Sequence, residues 1–320
     1  MSSEKQSDQA NAIVVGISGP SSSGKTTLAR LLQRIFCGVD LQSSDSKLNT
    51  FIIHEDDFYY PDDQIPYVTT KSGERIQDWD TAAAIDTNFL AQSLSYVREH
   101  GRLPPRLQSK EDQNEQSDSG VEDALVLEMR DLVSRQLASR NSRTKTIAFM
   151  EGFLLYSDRD EKSPLRPVHD AIHLPLFLPA PYTNVKTRRE ARSGYVTIGA
   201  QPTQEDIAAA KEAKGEQNEQ EGEESKKIDL ETEDDRPSQN FWVDPPGYVD
   251  DIVWPRYVED HAWLLIPDES VDGDLVAQVG EGINVRTDAG VIVAPGKGLV
   301  GMDVILKWAV EEILAFHRSF

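Results

Sequence analysis

Cysteine is nearly absent. The chain has one, Cys37, among 320 residues. One thiol makes neither an internal disulfide nor a multi-cysteine zinc site, and points to a reducing compartment. Histidines are few, and lone ones such as His54 and His261 fit no metal-ligand spacing, so structural roles are expected for both. No apolar run is long enough to span a bilayer. The opening "MSSEKQSDQANA" has no apolar signal core and is not arginine-rich. Basic charge is also scarce: 33 Lys and Arg stand against 55 Asp and Glu, for a net charge of -22. Such a chain repels nucleic-acid phosphates, so neither nucleic acid nor membrane is expected as a partner. A cytoplasmic location, with the nucleus also open, and a monomeric state are the expectations.

The acidic excess is partly local. Residues 201–240 hold 13 acidic and 5 basic side chains and almost no large apolar ones. Such a stretch buries too little surface to offset its chain entropy. We expect a disordered acidic insertion over 198–240, a disordered tail over 1–11 and a mobile loop over 104–120, within a single domain of residues 12–320.

What is present is a strand–loop–helix signature. "AIVVGIS" reads as a buried parallel strand. "GPSSSGKTT" follows, in the pattern G-x-x-x-x-G-K-T. Leu28, Leu31, Leu32 and Ile35 then recur at helical spacing. Gly19 and Gly24 let the backbone wrap so that its N–H groups face phosphate oxygens, and the helix adds its N-terminal dipole. Ser21, Ser22, Ser23 and Thr27 complete the expected ATP-binding loop. Lys25 supplies charge to the β- and γ-phosphates, and the Thr26 hydroxyl suits Mg²⁺. A second glycine cluster, "PGKGLVG" at 295–301, has a different spacing and reads as a turn.

Further strands are expected at "NTFIIHEDDFYY", "KTIAFMEGFLLY" and "AIHLPLFLPAP". Helices are expected at "TAAAIDTNFLAQSLSYVREH", capped by Asp80 or Thr81, at 121–139, at "YTNVKTRREARSGY", and at a closing amphipathic segment carrying Ile305, Trp308, Ala309, Ile313 and Phe316. Alternating strands and helices imply an α/β fold of the P-loop NTPase class, with a central parallel sheet flanked by helices and a lid helix.

Several residues suit phosphoryl transfer. Asp56 and Asp57 follow a strand, where α/β folds place ligands; a carboxylate there accepts a proton from an attacking hydroxyl or helps hold Mg²⁺. Alone, such a pair also reads as solvated surface. Glu151 ends another apolar strand, as a partner to a Mg²⁺-bound water or a sugar hydroxyl, or as a helix cap. Arg188 and Arg192 are one helical turn apart and can clamp phosphoryl charge; with Lys186 and Arg189 they form the densest basic cluster. Trp79 beside Asp80 suits a nucleoside, ring on base and carboxylate on ribose, and equally a core tryptophan beside a cap.

In order, "GISGPSSSGKTTLA", "IIHEDDFYY", "IQDWD", "EGFLLY", "TRREARSGY" and "FWVDPPGYVDDIVWPRY" resemble the nicotinamide riboside kinases, the fungal form most closely, within the uridine-kinase-like P-loop kinases. The resemblance covers most of residues 12–265. It implies ATP-dependent phosphorylation of the ribose 5′-hydroxyl of nicotinamide riboside, with nicotinic acid riboside also accepted. It implies Lys25 and Thr26 at ATP and Mg²⁺, Asp56 as general base, Trp79 against the nicotinamide ring and Asp80 on the ribose hydroxyls. Glu151 matches an acidic residue near Mg²⁺, Arg189 and Arg192 match lid arginines, and Tyr195 matches a tyrosine near the substrate. The chain departs from the pattern where about forty mostly polar residues precede "FWVDPP"; closure entropy grows slowly with length, so a surface insertion is tolerable. A uridine or cytidine kinase shares this chemistry. A nucleotide-dependent switch or scaffold, using the acidic segment to bind a partner, is a reading from another class.

Overall fold

The computed structural model describes residues 11–41, 46–109, 118–138, 145–158, 162–197, 199–200, 228–232, 240–266, 279 and 286–319. The tail expected over 1–11 lies outside the described residues except for Asn11. So do 110–117 of the expected mobile loop and most of the acidic stretch.

The elements in chain order are β1 (Ala12–Ser18), α1 (Lys25–Phe36), β2 (Asn49–His54), β3 (Tyr67–Thr69), β4 (Arg75–Gln77), α2 (Thr87–His100), α3 (Asp123–Ala138) and β5 (Thr146–Gly152). Then come α4 (Arg166–Ala171), β6 (Leu174–Phe177), α5 (Tyr182–Glu190), β7 (Tyr195–Thr197), β8 (Asn240–Trp242), α6 (Trp254–Leu265), β9 (Ile292–Val293) and α7 (Met302–Ser319). Five strands form one sheet in the order β2-β5-β1-β6-β9, and every pairing is parallel. The expected α/β architecture with a central parallel sheet is therefore present. β9 was not foreseen: two residues are too few to show a strand period.

β1 is buried along its whole length because helices cover both faces of the sheet. Ile13, Val15 and Ile17 join α1, α3 and α7 in one core, through Leu28, Leu32, Val133, Leu306 and Val310. Val14, on the other face, joins Leu90 and Leu94 of α2, Val185 of α5 and Tyr257 and Leu264 of α6. Each of these fully buried aliphatic side chains contributes roughly 1.5–3 kcal/mol of transfer free energy. The alternation fixes register: a one-residue slip of β1 would exchange its two faces.

Two boundaries differ from expectation. α2 begins at Thr87, not near residue 81, because the Asp86 carboxylate accepts from the Phe89 N–H at 2.9 Å and caps it there. Thr81 caps only the short turn Ala82–Ala84. α5 ends at Glu190, so Arg192 lies in the following turn, its backbone N–H donating to Arg189 O at 3.1 Å. Residues 228–232, inside the stretch expected to be disordered, dock on α2. Tyr96 and Arg102 both hold Glu231, at 2.5 and 3.2 Å, and Ile228 N–H donates to Gln92 Oε1 at 3.1 Å. Ile228 and Leu230 supply the apolar contact that composition alone understated.

Among the described residues, no helix is long and apolar enough to cross a membrane.

Candidate active site

The carboxyl ends of β1, β2, β5 and β6 open onto one cleft of about 910 Å³. This is the position where open parallel sheets receive ligands.

The segment after β1, from Gly19 to Thr27, brings Ser21 to Thr27 to the cleft. Gly19 has φ 152°, and a Cβ there would sit 2.2 Å from the Leu178 carbonyl oxygen, so no side chain fits. Gly24 has φ 99° and delivers the chain into α1. The first turn of α1 has no acidic residue and no side-chain cap, so its N–H groups are not satisfied by the side chain that usually caps a helix. The hydroxyls of Ser22 and Ser23 are buried without a hydrogen-bond partner. Orphaned donors around a helix N-terminus fit an anion with several oxygens. Lys25 is buried, and its Nζ donates to Pro20 O at 3.0 Å. Burial pulls its pKa down, against the opposing pull of Glu151, Asp56 and Glu55. Ser21 to Thr27 all line the cleft. Arg188 reaches the same loop, Nη1 donating to Ser22 O at 3.3 Å.

Three acids lie beside the loop. β2 and β5 pair in register with His54 opposite Glu151, and His54 Nδ1 donates to Glu151 Oε1 at 2.6 Å. His54, expected to be merely structural, is thus the partner that orients Glu151. Burial raises the Glu151 carboxyl, but the His54 hydrogen bond and charge, Lys25 and the Thr26 hydroxyl outweigh it and hold the group below its ordinary range. Asp56 moves the other way, to about 6, through burial and the Glu151 charge, despite Lys25, Arg192 and His54. The two carboxylates therefore have separated proton affinities, the arrangement expected of one base and one permanent anion. Asp57, weighed with Asp56, is buried and does not line the cleft. Glu55 was not foreseen. It is fully buried, accepts from the Leu154 N–H at 2.9 Å, and burial pushes it up to about 8.

The opposite wall is aromatic. Trp79, 4% exposed, packs edge-on against Tyr59 at 5.3 Å and tilted against Trp242 at 5.5 Å. The Trp79 backbone N–H donates to the Tyr248 hydroxyl at 2.9 Å. Next to it, Asp80 receives both ends of Arg189, at 3.1 and 3.3 Å. Arg189 also donates to Asp244 at 2.7 Å and lies over the rings of Tyr195 and Tyr248. Burial raises the Asp80 carboxyl, and Arg189 opposes that rise. Asp80 is thus no helix cap, and Arg189, expected with Lys25 and Arg192 to stabilise phosphoryl charge, is buried in this wall between Asp80 and Asp244 while still lining the cleft. Arg192 lies over the Tyr195 ring at 4.6 Å and lines the cleft. The Tyr195 hydroxyl is buried without a hydrogen-bond partner.

The glycine cluster at 295–301, read as a turn, does begin with a turn at Pro295–Gly298. However, Gly298, Val300, Gly301 and Met302 also line the cleft, with Met302 next to Gly24, an involvement its spacing did not signal. Trp242 and Asp244 lie within the quoted "FWVDPP" motif, which was the available signal for them.

Thr26, Asp56 and Glu151 offer hard oxygen ligands next to the phosphate loop, a donor set that fits Mg²⁺. Among the described residues, no cluster of three or more His, Cys, Asp or Glu forms a metal cage.

The chain is similar to fungal nicotinamide riboside kinases. It is 28% identical over 303 residues to the protein of that name from Schizosaccharomyces pombe, covering 94% of this chain and 96% of that one. It is 25% identical over 309 residues to the Saccharomyces cerevisiae protein of the same name, covering 96% and 98%. Human nicotinamide riboside kinase 2 is 28% identical over 185 residues, 57% of this chain and 58% of its own. No protein-family model matches the chain.

Proposed function

We propose that the protein transfers the γ-phosphate of ATP to the ribose 5′-hydroxyl of nicotinamide riboside, and also of nicotinic acid riboside, giving the mononucleotide for NAD synthesis. The carrying observation is that one cleft joins the Lys25 loop to the Trp79–Asp80 wall, with Asp56 lining the same space. Near-complete overlap with fungal relatives bearing that enzyme's name supports the substrate.

The geometry supports the following roles. The backbone N–H groups of the Gly19–Thr26 loop and the Ser22 and Ser23 hydroxyls bind phosphate oxygens. The apolar end at Val300 and Met302 receives the base of the nucleotide. Trp79, with Tyr59, Trp242 and Tyr195, faces the pyridine ring, and an electron-rich aromatic wall favours its positive charge. Asp80, held by Arg189, accepts from the ribose hydroxyls. Asp56 takes the proton from the 5′-oxygen as that oxygen attacks phosphorus. Lys25, Arg188 and Arg192 neutralise charge on the transferring group. Thr26, Asp56 and Glu151 would hold Mg²⁺, which supplies Lewis-acid neutralisation of the phosphates.

The reading includes a monomer with one catalytic domain, residues 12–320, in the cytoplasm, with the nucleus also open. Uridine or cytidine as acceptor is the second reading, since an aromatic wall also stacks a pyrimidine. Incubation with Mg²⁺–ATP and nicotinamide riboside, read by the mass of the mononucleotide, tests the proposal. Formation of ADP without a phosphorylated nucleoside would instead fit a nucleotide-dependent switch.

A further inference from the structure

β7 and β8 form a hairpin of three residue pairs, Tyr195↔Trp242, Val196↔Phe241 and Thr197↔Asn240. All of these except Asn240 line the cleft. So short a hairpin is not stable by itself in water. A two-residue turn would normally fix it. Here residues 198–239 separate the two strands, and a long connection closes the pair less effectively.

One side chain closes the neck instead. Asp62 Oδ2 accepts from Thr197 Oγ1 at 2.9 Å and from Asn240 Nδ2 at 3.1 Å, which are the two residues of the last pair. Its Oδ1 accepts from the Gly199 N–H at 3.0 Å. The Asp62 backbone is itself fixed: its N–H donates to Gly199 O at 2.9 Å, and its carbonyl accepts from Gln77 Nε2 at 2.5 Å. Three hydrogen bonds to one carboxylate are of the stronger, charge-assisted kind. Asp62 lies four residues beyond the turn Glu55–Phe58 that carries Asp56, and does not line the cleft.

We propose that Asp62 is a positioning residue that clasps both legs of the hairpin, and so holds Tyr195 and Trp242 in the riboside-binding wall despite the long connection between them. The clasp itself stands on the hydrogen bonds; its effect on substrate rests on the riboside-kinase reading.

Two measurements on the full chain test it. In Asp62→Ala, the KM for nicotinamide riboside rises by roughly tenfold, while kcat and the KM for ATP stay within about twofold, because only one wall of the site loosens. Asn240→Ala, which removes one of the three bonds, gives a smaller rise in the same KM. Amide hydrogen exchange of 195–197 and 240–242 speeds by roughly tenfold or more in Asp62→Ala, with β1 and β5 unchanged. A folded Asp62→Ala with unchanged riboside KM, or with riboside and ATP KM raised equally, overturns the positioning role. Unchanged exchange in the hairpin overturns the clasp. The exchange result holds whether or not the wild type phosphorylates a riboside, so failure of the clasp is distinguishable from failure of the proposed activity.

Discussion

Arg189 grips Asp80 with both ends of its guanidinium, at 3.1 and 3.3 Å, and both side chains are 7% exposed. The same guanidinium holds Asp244. A carboxylate fixed in this way presents its remaining lone pairs in one direction, which is what selection of a sugar diol requires. Asp80→Ala should raise the KM for the riboside by roughly tenfold or more, with the KM for ATP little changed. Steady-state kinetics with each substrate varied in turn checks this.

Arg189→Ala leaves two acidic side chains without their common cation. Removal of one partner from a buried pair costs about 3–5 kcal/mol of stability. The denaturation midpoint should therefore fall sharply. Arg189→Lys should recover little, because an ammonium cannot reproduce the two-ended contact.

Asp56→Ala should lower kcat by roughly a hundredfold or more while nucleotide binding persists. The pH profile carries the sign. The base acts when deprotonated, and Asp56 is raised to about 6, so the wild-type rate should climb with pH through that value and level off above it. The residual rate of the alanine variant should lack that limb. Initial rates between pH 5 and 8 decide it.

Glu55 gives a stability prediction of its own. Its pKa is raised from 4.5 to about 8 by burial, so the folded state favours the protonated form. The stability this gives is complete below the unfolded value and is lost as pH rises towards 8. Glu55→Gln keeps the shape without the charge. It should be more stable than wild type by an amount that grows across this interval. Thermal unfolding at pH 5 and pH 8 checks the trend.

The strands that bear the site were legible because buried parallel strands are continuous apolar runs, and "AIVVGIS" and "TIAFMEG" occupy β1 and β5. The glycine-rich turn between β1 and α1 was legible because its glycines have a steric cause, visible at Gly19 against Leu178. That Asp56, Glu151, Trp79 and Asp80 line one cleft was legible, because they follow or end strands or flank an aromatic. Their partners were not. His54 meets Glu151 only through strand pairing across 97 residues, and Asp80 meets Arg189 across 109. Arg192 was assigned to a helix face because the basic run continues past the point where the backbone turns. Trp242 and the loop at 298–302 reach the cleft through tertiary packing, which local spacing does not encode.

The most direct test is phosphate transfer from Mg²⁺–ATP with nicotinamide riboside, nicotinic acid riboside, uridine and cytidine as separate acceptors, compared by kcat/KM. The account predicts strong preference for the two pyridine ribosides, with phosphate on the 5′-oxygen. Preference for uridine or cytidine would contradict the assignment of the Trp79–Asp80 wall to a pyridine ring, and transfer to none of the four would contradict the kinase reading itself.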